Sequence, residues 1–358
     1  MDDPKVVHSK LHLHEDRVLV PVDDIQDTVR KIFTLSGCTG TAADQIARHL
    51  TEANLCGMES HGLMRTLQYV EQFESGYMDA EAQPVVTNGE RGGRVVDGNG
   101  GHGIPAMCLA TREAISASES HGVSVLAVVN TGHTGRLGAF AEEAAKKGHL
   151  CIIFGGGGRK NWRQVAPHGG GKAMLPTNPY CLGIPGGQRG PVVLDFATSK
   201  IAGGWIYAAR SAGAELPDNV LMDPEGNVSR NPEDYFRGGA ILPAGEHIGY
   251  SLALAAEIMA EAVLGPTTTE GNWLMITVDT GRYRDPGSMQ RMAEEILDEL
   301  RNCPPAPGFD RVEIPGERER EHRERIAAAG IPMPVRTWDQ IQALFERLNP
   351  SANQTDQR

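Results

Sequence analysis

Gly98-Asn99-Gly100-Gly101-His102-Gly103 is the stretch on which the fold turns. It matches G-x-G-x-x-G and lies between a short apolar run at 94–97 and a helical pattern from about 104 to 120. Such a turn between strand and helix is the fingerprint of a dinucleotide-binding βαβ unit, with the pyrophosphate on the helix N-terminus. Two features argue against it. The strand before it is brief and ends in Asp97. The next strand, 123–129, ends in Asn130, where an acid should receive the ribose hydroxyls. The stretch therefore reads as a tight connection that needs glycine for its backbone angles.

Toward the N-terminus the pattern is helical. Ile25, Val29, Ile32 and Phe33 stripe a helix over 23–36. Thr41-Ala42-Ala43-Asp44 opens a second like a capping box, with Ile46, Leu50 and Ala53 as its apolar side. Leu63, Leu67, Val70 and Phe73 predict a third over 62–75, with Ser60 as N-cap. His61, Arg65 and Tyr69 follow at i, i+4, i+8 and share a face. A histidine that titrates near neutral pH and a guanidinium that forks a carboxylate suit an anionic substrate. A helix cap, a surface arginine and a half-buried tyrosine would give the same spacing. His12 and His14 flank Leu13 and, with no third ligand nearby, read as strand-face residues.

On the other side, Asn130-Thr131-Gly132-His133-Thr134-Gly135-Arg136 joins the strand to a helix over 137–147. A histidine on such a loop is placed for catalysis or is a solvent-facing turn residue. A buried strand over 150–154 runs into four glycines, 155–158, then Arg159 and Lys160. Amides beside cations suit a phosphate, and an exposed loop reads the same way. A strand over 192–194 ends in Asp195-Phe196-Ala197-Thr198-Ser199, where an acid and hydroxyls can orient a histidine or bind a cofactor. Helices over 250–264, 288–301, 317–329 and 337–348 and a strand over 273–279 follow. This helical close is expected to fold back on the first helices, and 351–358 to be disordered.

A chain of 358 residues, 40% hydrophobic and 22% charged, suits a globular protein of two domains. Net charge of −12 disfavours nucleic acid and anionic membranes as partners. No apolar run reaches a membrane-spanning length and no signal or transit pattern opens the chain. The six cysteines are scattered without C-x-x-C and read as free thiols, so a cytoplasmic protein is expected. No metal-ligand spacing such as H-E-x-x-H occurs, and no metal is expected.

Several motifs, taken in order, carry a resemblance. They are Glu59-Ser60-His61-Gly62 with Arg65 and Tyr69; Gly132-His133-Thr134-Gly135; Thr177-Asn178-Pro179; Leu194-Asp195-Phe196-Ala197-Thr198-Ser199; Leu242-Pro243; and Pro315-Gly316-Glu317. Together they resemble the malate/L-lactate dehydrogenase family of the non-Rossmann type, which includes ureidoglycolate, sulfolactate and diketogulonate dehydrogenases and cyclic imino-acid reductases. The resemblance spans roughly residues 10–348.

It implies an α/β fold that is sulfolactate-dehydrogenase-like. Residues 1–82 with 315–350 would form a helical unit from both chain ends. Residues 83–314 would form a central cofactor- and substrate-binding domain with a mixed, largely antiparallel sheet. It also implies a homodimer, an active site near the subunit interface, and NADH or NADPH bound in extended form. On this resemblance His61 is the proton donor, Ser60 its polar neighbour, and Arg65 the carboxylate clamp with Tyr69 beside it. His133 is the second histidine, near the nicotinamide, and Asp195 orients a catalytic histidine. Asp195, Phe196, Ala197, Thr198, Ser199, Lys200, His247, Ile248, Gly316 and Glu317 are expected to meet the cofactor. The implied reaction is hydride transfer between nicotinamide and a small 2-oxo or 2-hydroxy acid or a cyclic 2-imino acid. The family usually carries lysine where Ile248 and Trp205 stand, and glycine where Pro176 stands. Those departures leave open a repurposed homologue with acid/base, non-redox chemistry or a non-catalytic binding role.

Overall fold

The computed structural model describes residues 16–350; His12, His14 and the tail at 351–358 lie outside the described residues. The first elements are β1 (Arg17–Val20), α1 (Val22–Leu35), α2 (Gly40–Leu55), α3 (Arg65–Glu74), β2 (Val85–Asn88), β3 (Arg94–Asp97), α4 (Gly103–His121) and β4 (Val123–Thr131). Next come α5 (Leu137–Lys146), β5 (His149–Gly156), β6 (Tyr180–Ile184), β7 (Val192–Phe196), α6 (Gly203–Ala212), β8 (Leu221–Met222), β9 (Val228–Ser229) and α7 (Pro232–Phe236). The chain ends with β10 (Ala240–Ile241), α8 (His247–Glu257), β11 (Gly271–Asp279), α9 (Pro286–Arg301), α10 (Glu317–Ala329), β12 (Ile331–Pro334) and α11 (Val335–Leu348).

The main sheet has seven strands in the order β2-β3-β4-β11-β5-β6-β7. Only β3 and β4 run parallel, joined by the crossover helix α4; every other neighbouring pair is antiparallel. This is the mixed, largely antiparallel sheet expected, not a doubly wound parallel one. α4 and α5 lie side by side on one face, and α2 packs on α4. On the opposite face Phe154, Tyr180 and Phe196 stack across β5, β6 and β7, and the Tyr180 hydroxyl donates to Leu252 O of α8 at 2.9 Å.

β1 pairs with β12, and α1 packs on α11, so the two chain ends are joined. One apolar core runs through these helices into the sheet and buries Phe33, Tyr69, Ile104, Leu126, Ile153 and Ile341. Burial of this size is the main favourable term in folding. A second cluster, around Ile206, Leu221 and Ile241, lies under the small sheet β10-β8-β9. Among the described residues no helix is long and apolar enough to cross a membrane.

Three local readings change. Thr39, not Thr41, caps α2, its hydroxyl accepting from Ala42 N–H at 3.3 Å. α3 begins only at Arg65, because Glu59–His61 form a separate 3-10 turn, and Ser60 caps no helix. α8 begins at His247 and loosens into a π turn at Ile258–Val263. α6 opens on Gly203-Gly204, and β8, β9 and β10 are two residues each; neither leaves a period to read.

Candidate active site

The glycine stretch spends its amides inside the protein. Gly98 N–H donates to Val129 O and Gly100 N–H to Asn130 O, both at 2.9 Å, and Ile104 N–H donates to His102 Nδ1 at 3.1 Å. A Cβ on Gly103 would sit 2.4 Å from Gly132 O and 2.6 Å from His133 O. The glycine thus lets the start of α4 press against the loop that carries His133, and holds it there.

The His61 turn is fixed from the chain ends. Arg17 pairs with Glu59 and donates to Pro332 O at 2.8 Å. Leu63 N–H donates to Asn54 Oδ1 at 2.7 Å, and a Cβ on Gly62 would lie 1.9 Å from that oxygen, so only glycine fits after His61. Ser60 Oγ is 3.0 Å from His61 Nδ1. Arg65 Nε donates to Ser60 O at 2.6 Å and its Nη1 to Gln68 Oε1. Its Nη2 edge faces Gly204 at the start of α6, 3.7 Å from where a Cβ would stand.

His133 lies over this turn, its ring centroid 5.6 Å from that of His61. Gly135 N–H is 3.2 Å from His133 Nδ1, and Tyr69 Oη is 2.5 Å from the same nitrogen. An amide can only donate, so Nδ1 is the acceptor and the neutral ring carries its proton on Nε2. Burial pushes the Tyr69 phenol up, which keeps it a donor. Tyr69 is fully buried, so the expected substrate-facing tyrosine instead orients His133. His102 meets the Tyr69 ring edge-on at 4.3 Å between centroids. Burial, then the Arg65 and Arg136 guanidiniums, push the half-buried His61 down to about 3. Burial and Arg65 hold His133 well below its ordinary value as well. Both rings are neutral near neutral pH.

Asp195 is not brought to either histidine. Its Oδ2 accepts Gly138 N–H of α5 at 2.6 Å, with the Arg136 guanidinium within electrostatic reach. The other expected cofactor segments converge. Ala244 N–H donates to Thr198 O and Lys200 N–H to Leu242 O, both at 2.8 Å, so 198–200 and 242–244 run zipped together ahead of His247 and Ile248. Thr198 also bonds Thr177 O through its amide at 3.0 Å and its hydroxyl at 2.8 Å. Gly316 packs on the start of β7, where Pro315 O accepts from Val193 N–H at 3.1 Å, and Glu317 is committed to Arg301 at 2.5 Å. The glycine loop at 155–158 is likewise taken: Glu257 accepts Gly157 N–H at 2.8 Å and Arg159 N–H at 2.9 Å. Among the described residues no cluster of His, Cys, Asp and Glu could hold a metal.

Residues 20–342 match the malate/L-lactate dehydrogenase family. The chain belongs to that family. A Δ1-pyrroline-2-carboxylate/Δ1-piperideine-2-carboxylate reductase of Pseudomonas putida is 30% identical over 92% of this chain and 97% of its own. A malate dehydrogenase of Pyrococcus abyssi is 28% identical over 95% of this chain and 97% of its own. The crystal structure of malate dehydrogenase from Entamoeba histolytica superposes with a TM-score of 0.87 at 23% identity, covering 93% of this chain and 99% of that one, and shares the fold. Like the family, this chain is an oxidoreductase.

The family implies a nicotinamide cofactor, and the residues present fit one. Phe196 and Ile248, flanking the zipped segments, offer exposed apolar surface, and Lys200 makes no ion pair among the described residues. Three residues of this region escaped the sequence reading: His49, which accepts Arg136 N–H at 2.9 Å; Glu257; and Glu270. Glu257 had a signal, an acid in the middle of a strongly apolar helical run, which demands a buried partner.

Proposed function

We propose that this chain reduces, or in reverse oxidises, a small substrate with a carboxylate beside the reacting carbon: a 2-oxo or 2-hydroxy acid or a cyclic 2-imino acid. The observation that carries this reading is His61 and His133 facing each other at 5.6 Å beside the Arg65 guanidinium. The cofactor, NADH or NADPH, supplies or accepts the hydride when bound. Thr198, Ser199, Lys200 and Ile248 would hold it. Arg65 holds the substrate carboxylate with its free edge and turns encounter into orientation. His61 or His133 passes the proton to the substrate oxygen or nitrogen. In the free protein burial first, and then the neighbouring guanidinium, keeps both rings neutral; a carboxylate bound to Arg65 cancels the guanidinium's charge and raises their affinity for a proton. Tyr69 holds His133 in one tautomer.

The chain also reads as a cytoplasmic homodimer. Its six cysteines are all free, and Met292, Ile296 and Leu300 leave an apolar stripe exposed along α9. Light scattering on the purified protein tests the dimer. The activity is tested with 2-oxo acids and cyclic 2-imino acids, each with NADH and NADPH, followed by mass spectrometry of products. Absence of cofactor binding and of turnover with every pair would overturn it.

A further inference from the structure

We propose that Glu270 selects the substrate: its carboxylate receives a positively charged nitrogen on a molecule whose own carboxylate lies on Arg65. This rests on the reading of the site given above. The loop before β11 is pinned by three consecutive threonines. Thr267 Oγ1 donates to Gly157 O and Thr268 Oγ1 to Asn130 Oδ1, both at 2.7 Å, and Thr269 Oγ1 donates to Thr131 O. Two of these bonds run to the end of β4, from which the His133 loop departs. Glu270 is therefore a fixed feature of the site wall. Gln72 of α3, the helix that carries Arg65 and Tyr69, stands close enough to its carboxyl to favour the ionised form.

Arg65 is within electrostatic reach of Glu270, yet the two make no direct ion pair; the Arg65 bonds run to Ser60 and Gln68. The acid thus feels the guanidinium's charge without being bound by it. Tyr77 stands within electrostatic reach of Glu270 and close to Trp162, and both aromatics are 36% exposed. A carboxylate flanked by aromatic side chains attracts an organic cation, and a guanidinium fork attracts a carboxylate. The pair is complementary to a small zwitterion. A protonated cyclic 2-imino acid carries that pattern, as does the cyclic 2-amino acid formed from it. A 2-oxo or 2-hydroxy acid has no cation to offer Glu270 and brings its negative charge alone. Burial raises the Glu270 acid to about 7 against the pull of Arg65, so an incoming cation is what stabilises its ionised form.

The test compares kcat/KM for a cyclic 2-imino acid and for a 2-oxo acid of equal carbon number, in the unaltered protein and in Glu270→Gln, with each cofactor. The unaltered protein is expected to prefer the imino acid. Glu270→Gln is expected to lower that preference at least tenfold, through a raised KM for the imino acid, and Glu270→Asp to recover part of it. A general folding defect would depress both substrates together and leave their ratio alone. An unchanged ratio, or an unaltered protein that prefers the 2-oxo acid, overturns the assignment of Glu270 only. No turnover of either substrate overturns the proposed function and this assignment with it.

Discussion

Tyr69 Oη lies 2.5 Å from His133 Nδ1, and the same nitrogen faces Gly135 N–H at 3.2 Å. Two donors on one acceptor leave a single neutral tautomer, with Nε2–H turned away from them. Tyr69→Phe keeps the buried ring and removes the stronger donor. It is expected to lower kcat about 10–100-fold with KM little changed, which corresponds to one hydrogen bond at a buried site. Steady-state kinetics with a thermal melt as control checks this. A variant with unaltered kcat would reduce Tyr69 to a packing residue.

Arg65 is held by its Nε bond to Ser60 O and its Nη1 bond to Gln68, leaving its Nη2 edge for a ligand. Lysine keeps the charge and loses the fork. Arg65→Lys is expected to raise KM tenfold or more, with a smaller fall in kcat. Equal KM values for the two proteins would mean that no substrate carboxylate reaches this position.

His49, His61 and His102 are each pushed from 6.5 to about 3, first of all by burial. Their folded-state values lie below the unfolded one, so the unfolded chain binds more protons between these limits. The stability they contribute is complete above about pH 6.5 and is lost as pH falls toward 3. Glu270, raised from 4.5 to about 7, and Asp195, raised by its burial, act in the opposite sense but are two groups against four, since His133 is lowered as well. The melting temperature is expected to fall steadily from pH 7 to pH 4. Replacing the buried His49 with Gln should flatten that dependence, and a pH-independent melt of the unaltered protein would refute the argument.

Much of this was legible in the chain because it is local. The stripes of α1 and α2 and the non-Rossmann character of residues 98–103 follow from short-range periodicity and turn chemistry, whereas the single helix face read for His61, Arg65 and Tyr69 does not hold, because His61 stands in the 3-10 turn before α3. What could not be read depends on distant partners. Ser60 as N-cap failed because Asn54, eight residues before Gly62, stabilises a tighter turn there. Tyr69 as a substrate contact failed because its hydroxyl is claimed by a histidine 64 residues away. The phosphate reading of residues 155–158 failed because Glu257, about a hundred residues on, takes the amides. Glu270 gave no periodic signal, since a loop acid looks the same whether it faces solvent or a guanidinium.

The two positions where the family usually has lysine have different fates. Trp205 packs on the second apolar cluster and belongs to the fold. Ile248 is 58% exposed in the first turn of α8, next to the zipped segments. A cation there would stand at the positive end of a helix, which costs about 0.3–1 kcal/mol. Lys200 sits on the partner segment of the zipper, paired with no acid among the described residues, and it is placed to supply the missing charge. A charge-assisted hydrogen bond to a phosphate contributes about 1.5–3 kcal/mol, roughly ten- to hundredfold in affinity. Lys200→Ala is therefore expected to weaken binding of NADH or NADPH by that factor in a fluorescence titration, and Lys200→Arg to keep most of it. Adding Ile248→Lys to Lys200→Ala should recover part of the loss, since the replacement cation rises from the neighbouring turn. If Lys200→Ala binds cofactor as the unaltered protein does, the phosphates do not lie on this zipper. Tighter binding by Ile248→Lys alone would then place them at the α8 turn, with the charge that Ile248 lacks as the reason affinity had room to rise.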